Sequence, residues 1–168
     1  MARPLRIEYP GAIYHITSRG VNRQDIFFDD NDRIEFLERL YEMHQRMKAT
    51  IHAYCLMSNH YHLELEVPTG HLSSSIQWLN HRYASHINYK YNRIGPLFQG
   101  RFKSIIIAKE SHLTVLTRYI HLNPVRAGLV QNPLEYRWSS YQTYVGVSKS
   151  NFLMTSATLN QFGKTKKE

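Results

Sequence analysis

Residues His60–Val67 read HYHLELEV, an unbroken alternation of polar and apolar side chains. A period of two fits a half-buried strand and excludes a helix over these residues. It places His60, His62, Glu64 and Glu66 on one face, and Tyr61, Leu63, Leu65 and Val67 on the other, toward a core. An isolated strand or hairpin is marginal in water, so further strands are required. Ala12–Arg19 supplies one, with Ile13, His15, Thr17 and Arg19 on a single face. Thr50–Met57 is apolar and joins the histidine strand through a tight turn at Ser58 and Asn59, forming a hairpin. Phe102–Ala108, with Ile105, Ile106 and Ile107, is a fourth strand.

Three helices fall between and after these strands. Asp32 with Glu35 is a capping-box signal, and Phe36, Leu37, Leu40, Tyr41, Met43 and Met47 follow at helical spacing to about Lys48. Leu72, Ile76, Leu79, Tyr83, Ile87 and Tyr91 mark a second amphipathic helix ending near Asn92. Ser111 is the expected cap of a third, containing Leu113, Val115, Leu116 and Ile120. The order strand, helix, strand, strand, helix, strand, helix predicts an α+β fold: a ferredoxin-like antiparallel sheet with helices packed on one face. The expected division is a domain over residues 1–145 and an extension over 146–168, with the tail GKTKKE frayed. The tyrosine-rich stretch from Pro133 has no placement from its pattern.

The charge is uneven. Residues 1–81 carry 8 basic and 10 acidic side chains, whereas residues 82–168 carry 13 basic and 3 acidic ones. A balance of +10 in the second half points to a polyanion, most simply nucleic acid. The only carboxylates after residue 81 are Glu110, Glu135 and Glu168, too few for an acidic metal-ligand cluster there. A single cysteine, Cys55, excludes an intramolecular disulfide. No apolar run is long enough to span a membrane and the N-terminus has no signal-peptide stretch, so the expected compartment is the cytoplasm.

Two imidazoles two residues apart on one strand face can converge on a divalent ion. On the third helix, Tyr119 and Asn123 are four apart and share a face if the helix is continuous. Pro124 opposes this, because it disfavours helical backbone at Asn123 and removes the bond to the Ile120 carbonyl. Asn123 therefore fits two roles, a cap or a ligand. Glu64 is an alternative third ligand. His15, on the neighbouring strand, fits an orienting role or a structural one, the latter being the simpler. Arg101 and Lys103, flanking Phe102, suit either phosphate contacts or a solvated strand edge.

The segments YHITSRG, SNHYHLELE, GPLFQGRFKS and YIHLNPVRAGLV, in this order from Arg3 to Tyr141, resemble the single-tyrosine HUH transposases, especially the REP-associated tyrosine transposases. The resemblance implies that His60 and His62 bind a divalent metal, Mg²⁺ or Mn²⁺, with Asn123 as third ligand. It implies that Tyr119 is the nucleophile that cleaves single-stranded DNA near hairpins such as REP elements. Tyr61 stands where the family usually has a bulky hydrophobe. Arg101, Lys103, Arg118 and Arg126 are the candidate DNA contacts, in a monomer or homodimer. A free phenol, with a pKa of about 10, is almost wholly protonated at neutral pH, so a tyrosine nucleophile needs help in ionising. Two other readings compete: a metal phosphodiesterase that uses water, and a non-catalytic DNA-hairpin binder or repressor.

Overall fold

The computed structural model describes residues 6–107 and 110–162. Its main elements are β1 (Ile13–Arg19), α1 (Asp30–Met47), β2 (Thr50–Leu56), β3 (His60–Glu66), α2 (Leu72–Lys90), β4 (Lys103–Ile107) and α3 (Glu110–Arg126). Two single-turn helices follow, α4 (Tyr141–Tyr144) and α5 (Ser156–Leu159). The four strands form one antiparallel sheet in the order β2-β3-β1-β4. This is the α+β ferredoxin-like arrangement expected from the element order. No helix among the described residues is long and apolar enough to cross a membrane.

The alternation of the strands divides the sheet as expected. Tyr14, Ile16, Tyr61, Leu63 and Leu65 are fully buried in a core with Phe36, Leu40 and Met43 of α1 and Ile76, Leu79, Tyr83 and Ile87 of α2. Burial of side chains of this size contributes about 1.5–3 kcal/mol each. Tyr61 points into this core, where its hydroxyl donates to Asn80 Oδ1 at 2.7 Å. The third helix departs from the expectation of helices on one face: α3 lies across the opposite face. There Leu116 and Ile120 pack on Ala53, Cys55 and Met57, an apolar strip beside the histidine strand.

Helix α1 begins earlier than its sequence signal. The N-cap is Asp29, whose side chain accepts from the Asp32 amide, while Asp32 accepts from the amide of Asp29. Asp32 is therefore the N3 member of the capping box and not its N-cap. It is fully buried and held by Lys90 Nζ at 2.7 Å and the Tyr91 hydroxyl at 2.9 Å, which ties α1 to the end of α2. Helix α3 starts at Glu110, so Ser111 is inside it and is not its cap. The tail GKTKKE lies outside the described residues.

The tyrosine-rich stretch covers the outer edge of β2. Leu56 N donates to Trp138 O, Ser140 N to Tyr54 O, and further along Met154 N to Ile51 O. The hydroxyls of Tyr136 and Tyr144 donate to Leu56 O and His52 O. Such pairing satisfies a strand edge that would otherwise be exposed. Leu153, Met154 and Thr158, all beyond residue 145, take part in these contacts with β2, α3 and α4.

His121 fastens this stretch to α3. Its Nε2 lies 2.8 Å from Ser140 Oγ, and its ring packs edge-on against Tyr141 and Tyr144. Burial pushes its pKa down to about 4, so it is neutral in the fold at pH 7. A histidine depressed in this way stabilises the fold above its unfolded pKa near 6.5, and that contribution is lost as pH falls toward 4. Denaturant melts of wild type and His121→Gln across pH 7.5 to 4 test this. Wild type is expected to lose on the order of 3 kcal/mol more than the variant over that range. Identical pH slopes would contradict a buried neutral His121.

Candidate active site

Strand register assembles the site. On β1 and β3, His15 lies opposite Glu64, Thr17 opposite His62 and Arg19 opposite His60. Directly opposed residues share a face in an antiparallel pair. Lys103 of β4 continues the row beside Thr17. This polar face is the one that α3 crosses.

Three imidazoles meet there. The rings of His60 and His62 are 5.0 Å apart, edge to face, and those of His15 and His62 are stacked at 5.1 Å. Tyr119 stands over them, with its ring 5.8 Å from that of His62 and 5.9 Å from that of His15. It remains 38% exposed, so a strand lying on this face can reach it. The Arg126 guanidinium sits 4.9 Å from the centre of the Tyr119 ring. The sheet and α3 thus bring His60, His62 and Tyr119 together, although 56 residues of chain lie between His62 and Tyr119.

Burial favours the neutral form of all three imidazoles. Burial lowers His62 to about 3, helped by the neighbouring His60, His15 and Arg19, and burial also lowers His60 and His15. A neutral ring is the metal-binding form. His60 Nδ1 is engaged by Asn59 Oδ1 at 2.6 Å, and His62 Nδ1 lies 2.9 Å from His15 Nε2. With both Nδ1 atoms occupied inside the protein, the Nε2 atoms are the ones available to an ion. His15 therefore touches His62 directly, which goes beyond a structural role elsewhere in the strand.

Helix α3 runs through Pro124 without ending at Asn123. The Asn123 side chain compensates for the proline. Its Nδ2 donates to the Tyr119 carbonyl at 2.9 Å and to the Ile120 carbonyl at 3.4 Å, the group that Pro124 cannot serve. Asn123 is therefore not a cap, and its amide has only Oδ1 to offer as an acceptor or ligand.

Glu64 is otherwise engaged. Its Oε2 is 2.7 Å from Thr117 Oγ1 on α3, while Oε1 is buried without a partner. Burial raises the carboxyl to about 8, so it is mainly protonated at pH 7. The Thr117 hydroxyl is also 3.0 Å from the Leu113 carbonyl, and a neutral acid can donate to Thr117 while Thr117 donates onward. Among the described residues, no three His, Cys, Asp or Glu side chains cluster closely enough to enclose an ion. The amide oxygen of Asn123 suits a third donor better than this neutral carboxyl.

A concavity of about 570 Å³ is lined by Arg19, which pairs with His60 across the sheet, and by Arg23, Arg101 and Lys103 with Thr17 and Gln99. Arg101 and Lys103 both line it. Arg118 and Arg126 are exposed on α3, with Arg126 against Tyr119. Arg19 and Arg23 escaped the sequence reading. The alternation of β1 already put Arg19 on the polar face, whereas nothing in the local pattern marks Arg23. Asn22 and Arg23 adopt left-handed backbone, φ 52° and 60°, in a turn that closes Arg23 against the sheet.

The family model described as "Transposase IS200 like" matches residues 8–123. A solved REP-associated tyrosine transposase bound to a REP hairpin superposes with a TM-score of 0.75 at 15% identity, over 92% of this chain and 98% of that one. A candidate transposase from Deinococcus radiodurans R1 aligns with a TM-score of 0.49 at 14% identity, over 71% of this chain and 95% of that one, below the level that establishes a shared fold. None of the curated proteins is a significant match. The family match spans every strand of the sheet and ends on Asn123 of α3, so the chain belongs to the IS200-like transposase family.

Proposed function

We propose that the protein cleaves and rejoins single-stranded DNA next to a hairpin, with Tyr119 as nucleophile. The observation that carries this reading is the placement of a half-exposed tyrosine over two neutral, edge-to-face histidines on one sheet face. A DNA-cleaving role accords with the family, and a hairpin substrate accords with the REP hairpin held by the structural neighbour.

The Nε2 atoms of His60 and His62, with Asn123 Oδ1, would hold a divalent ion, Mn²⁺ or Mg²⁺. Such an ion, when bound, polarises the scissile phosphate and stabilises charge on its oxygens. The remaining chemistry falls to the chain. The Tyr119 hydroxyl oxygen attacks phosphorus as its proton passes to solvent water. The bond from phosphorus to the 3′ oxygen breaks, and that oxygen takes a proton from water and leaves as a free 3′-hydroxyl. The 5′ phosphate stays esterified to Tyr119. The phosphotyrosine conserves the phosphodiester bond energy, so a second 3′-hydroxyl can reverse the step without ATP. Arg126, packed on the Tyr119 ring, restricts its motion and brings positive charge to the attacking face. Arg19, Arg23, Arg101 and Lys103 would hold the flanking phosphates.

Three experiments test this reading. Tyr119→Phe removes one hydroxyl and is expected to abolish both cleavage and the covalent DNA adduct, while hairpin affinity and Mn²⁺ binding persist. Cleavage surviving in this variant without any covalent adduct would make water the nucleophile. His60→Gln with His62→Gln should abolish metal-dependent cleavage without unfolding the protein. Changing Arg101 and Lys103 together to Ala should weaken binding and flatten the plot of log affinity against log salt by about 1.4, at ~0.7 per phosphate contact on single strands. An unchanged slope would remove these two residues from the interface.

A further inference from the structure

We infer that Asn59 is a positioning residue: it fixes the hydrogen-bonding state of His60 so that the Nε2 lone pair faces the site, and it anchors that ring to the left-handed turn carrying Arg23. The inference rests on the reading of His60 as a metal ligand and adds a residue to which no role has been given.

The Asn59 amide has a single workable orientation. Its Nδ2 lies 3.0 Å from the Arg23 backbone carbonyl. A carbonyl only accepts, so the Asn59 atom facing it must be the NH₂ group. The other end of the amide is then the oxygen, which also only accepts. That oxygen is 2.6 Å from His60 Nδ1. Nδ1 must therefore carry the proton, and in a neutral imidazole Nε2 is then the bare nitrogen. Reversing the amide would set an acceptor against the Arg23 carbonyl. Neither ring nitrogen is free to choose.

The anchor is itself well held. Gly20 N donates to Asn59 O at 2.9 Å, and the amides of Ile26 and Phe27 both donate to Ser58 O. Gly20 closes this turn so tightly that a Cβ there would meet the Gln24 carbonyl oxygen at 2.1 Å. Asn22 and Arg23, both at positive φ, point the Arg23 carbonyl toward Asn59 while the Arg23 side chain lines the cationic concavity. One short segment therefore supports the His60 ring through its backbone and offers a cation to phosphate through its side chain. An acceptor on the far nitrogen of a ligating histidine orients the ring and raises its basicity, an effect typically worth 10–100-fold in metal affinity.

The test uses the full chain, labelled with ¹⁵N and free of metal. Long-range ¹H–¹⁵N correlations of the imidazoles, with His60 assigned by its loss in His60→Gln, report which nitrogen is protonated. Mn²⁺ alone is then titrated and followed by electron paramagnetic resonance. Wild type is expected to show His60 protonated at Nδ1. Asn59→Ala should mix the two ring forms and weaken Mn²⁺ binding about 10–100-fold. Asn59→Asp keeps the acceptor for Nδ1 but loses the donor to the Arg23 carbonyl, so it should restore the Nδ1-protonated form and only part of the affinity. A wild-type His60 protonated at Nε2 would overturn the inference without recourse to any variant. So would an Asn59→Ala protein with an unchanged imidazole spectrum and unchanged Mn²⁺ affinity. If wild type shows the expected His60 form but binds no Mn²⁺, the positioning by Asn59 stands and the metal reading fails.

Discussion

The site depends on α3 being held across the polar face of the sheet. Without that helix, His60 and His62 would be two histidines on an open strand, and Tyr119 would have nothing to act with. Two contacts with the sheet hold it. Leu116 and Ile120 bury themselves on Ala53, Cys55 and Met57, and Thr117 meets the buried Glu64 carboxyl. The first supplies the driving force, because apolar area is removed from water. The second supplies register, because a buried carboxyl with one defined partner is costly to leave unpaired. Tyr119, two residues beyond Thr117, is set over the imidazoles by the same contact. The C-terminal stretch adds a third hold through His121 and Ser140, and also covers the β2 edge.

The polar face works because neighbouring residues limit what each group can do. His60 is bonded at Nδ1 by Asn59, and His62 Nδ1 lies against His15. The amide of Asn123 is drawn into repairing the helix at Pro124, which leaves its oxygen as the remaining functional end. Glu64 is kept protonated by burial and serves the helix. Arg19, Arg23, Arg101 and Lys103 gather positive charge along one concavity, and Arg19 pairs directly with His60 across the sheet.

Much of this was legible before any coordinates, for physical reasons. The alternation of HYHLELEV admits only one assignment of faces, so the side on which His60 and His62 lie follows from period alone. The same rule put His15 and Arg19 on the polar face of β1. What period cannot supply is register between strands, and the contact of His15 with His62 depends on that register. The face chosen by α3 was equally hidden, since the stripe Leu113, Leu116 and Ile120 fits either side of a sheet. The cap at Asp29 was masked by a run of acidic residues in which Asp32 carried an equally good local signal. Asn123 defied the usual reading of a proline because its own side chain supplies the missing donor. Arg23 lay beyond reach, because its position comes from left-handed backbone stabilised by a distant asparagine.

If the tyrosine above the imidazoles is the nucleophile, it becomes covalently attached to DNA. Wild-type protein incubated with a single-stranded hairpin substrate and Mn²⁺, then digested with nuclease and protease, reports this by tandem mass spectrometry. The expected result is a phosphate-linked nucleotide on Tyr119 and on no other tyrosine. The same modification on Tyr61, which faces the core, or on Tyr136, or cleaved DNA with no modified tyrosine at all, would contradict the account.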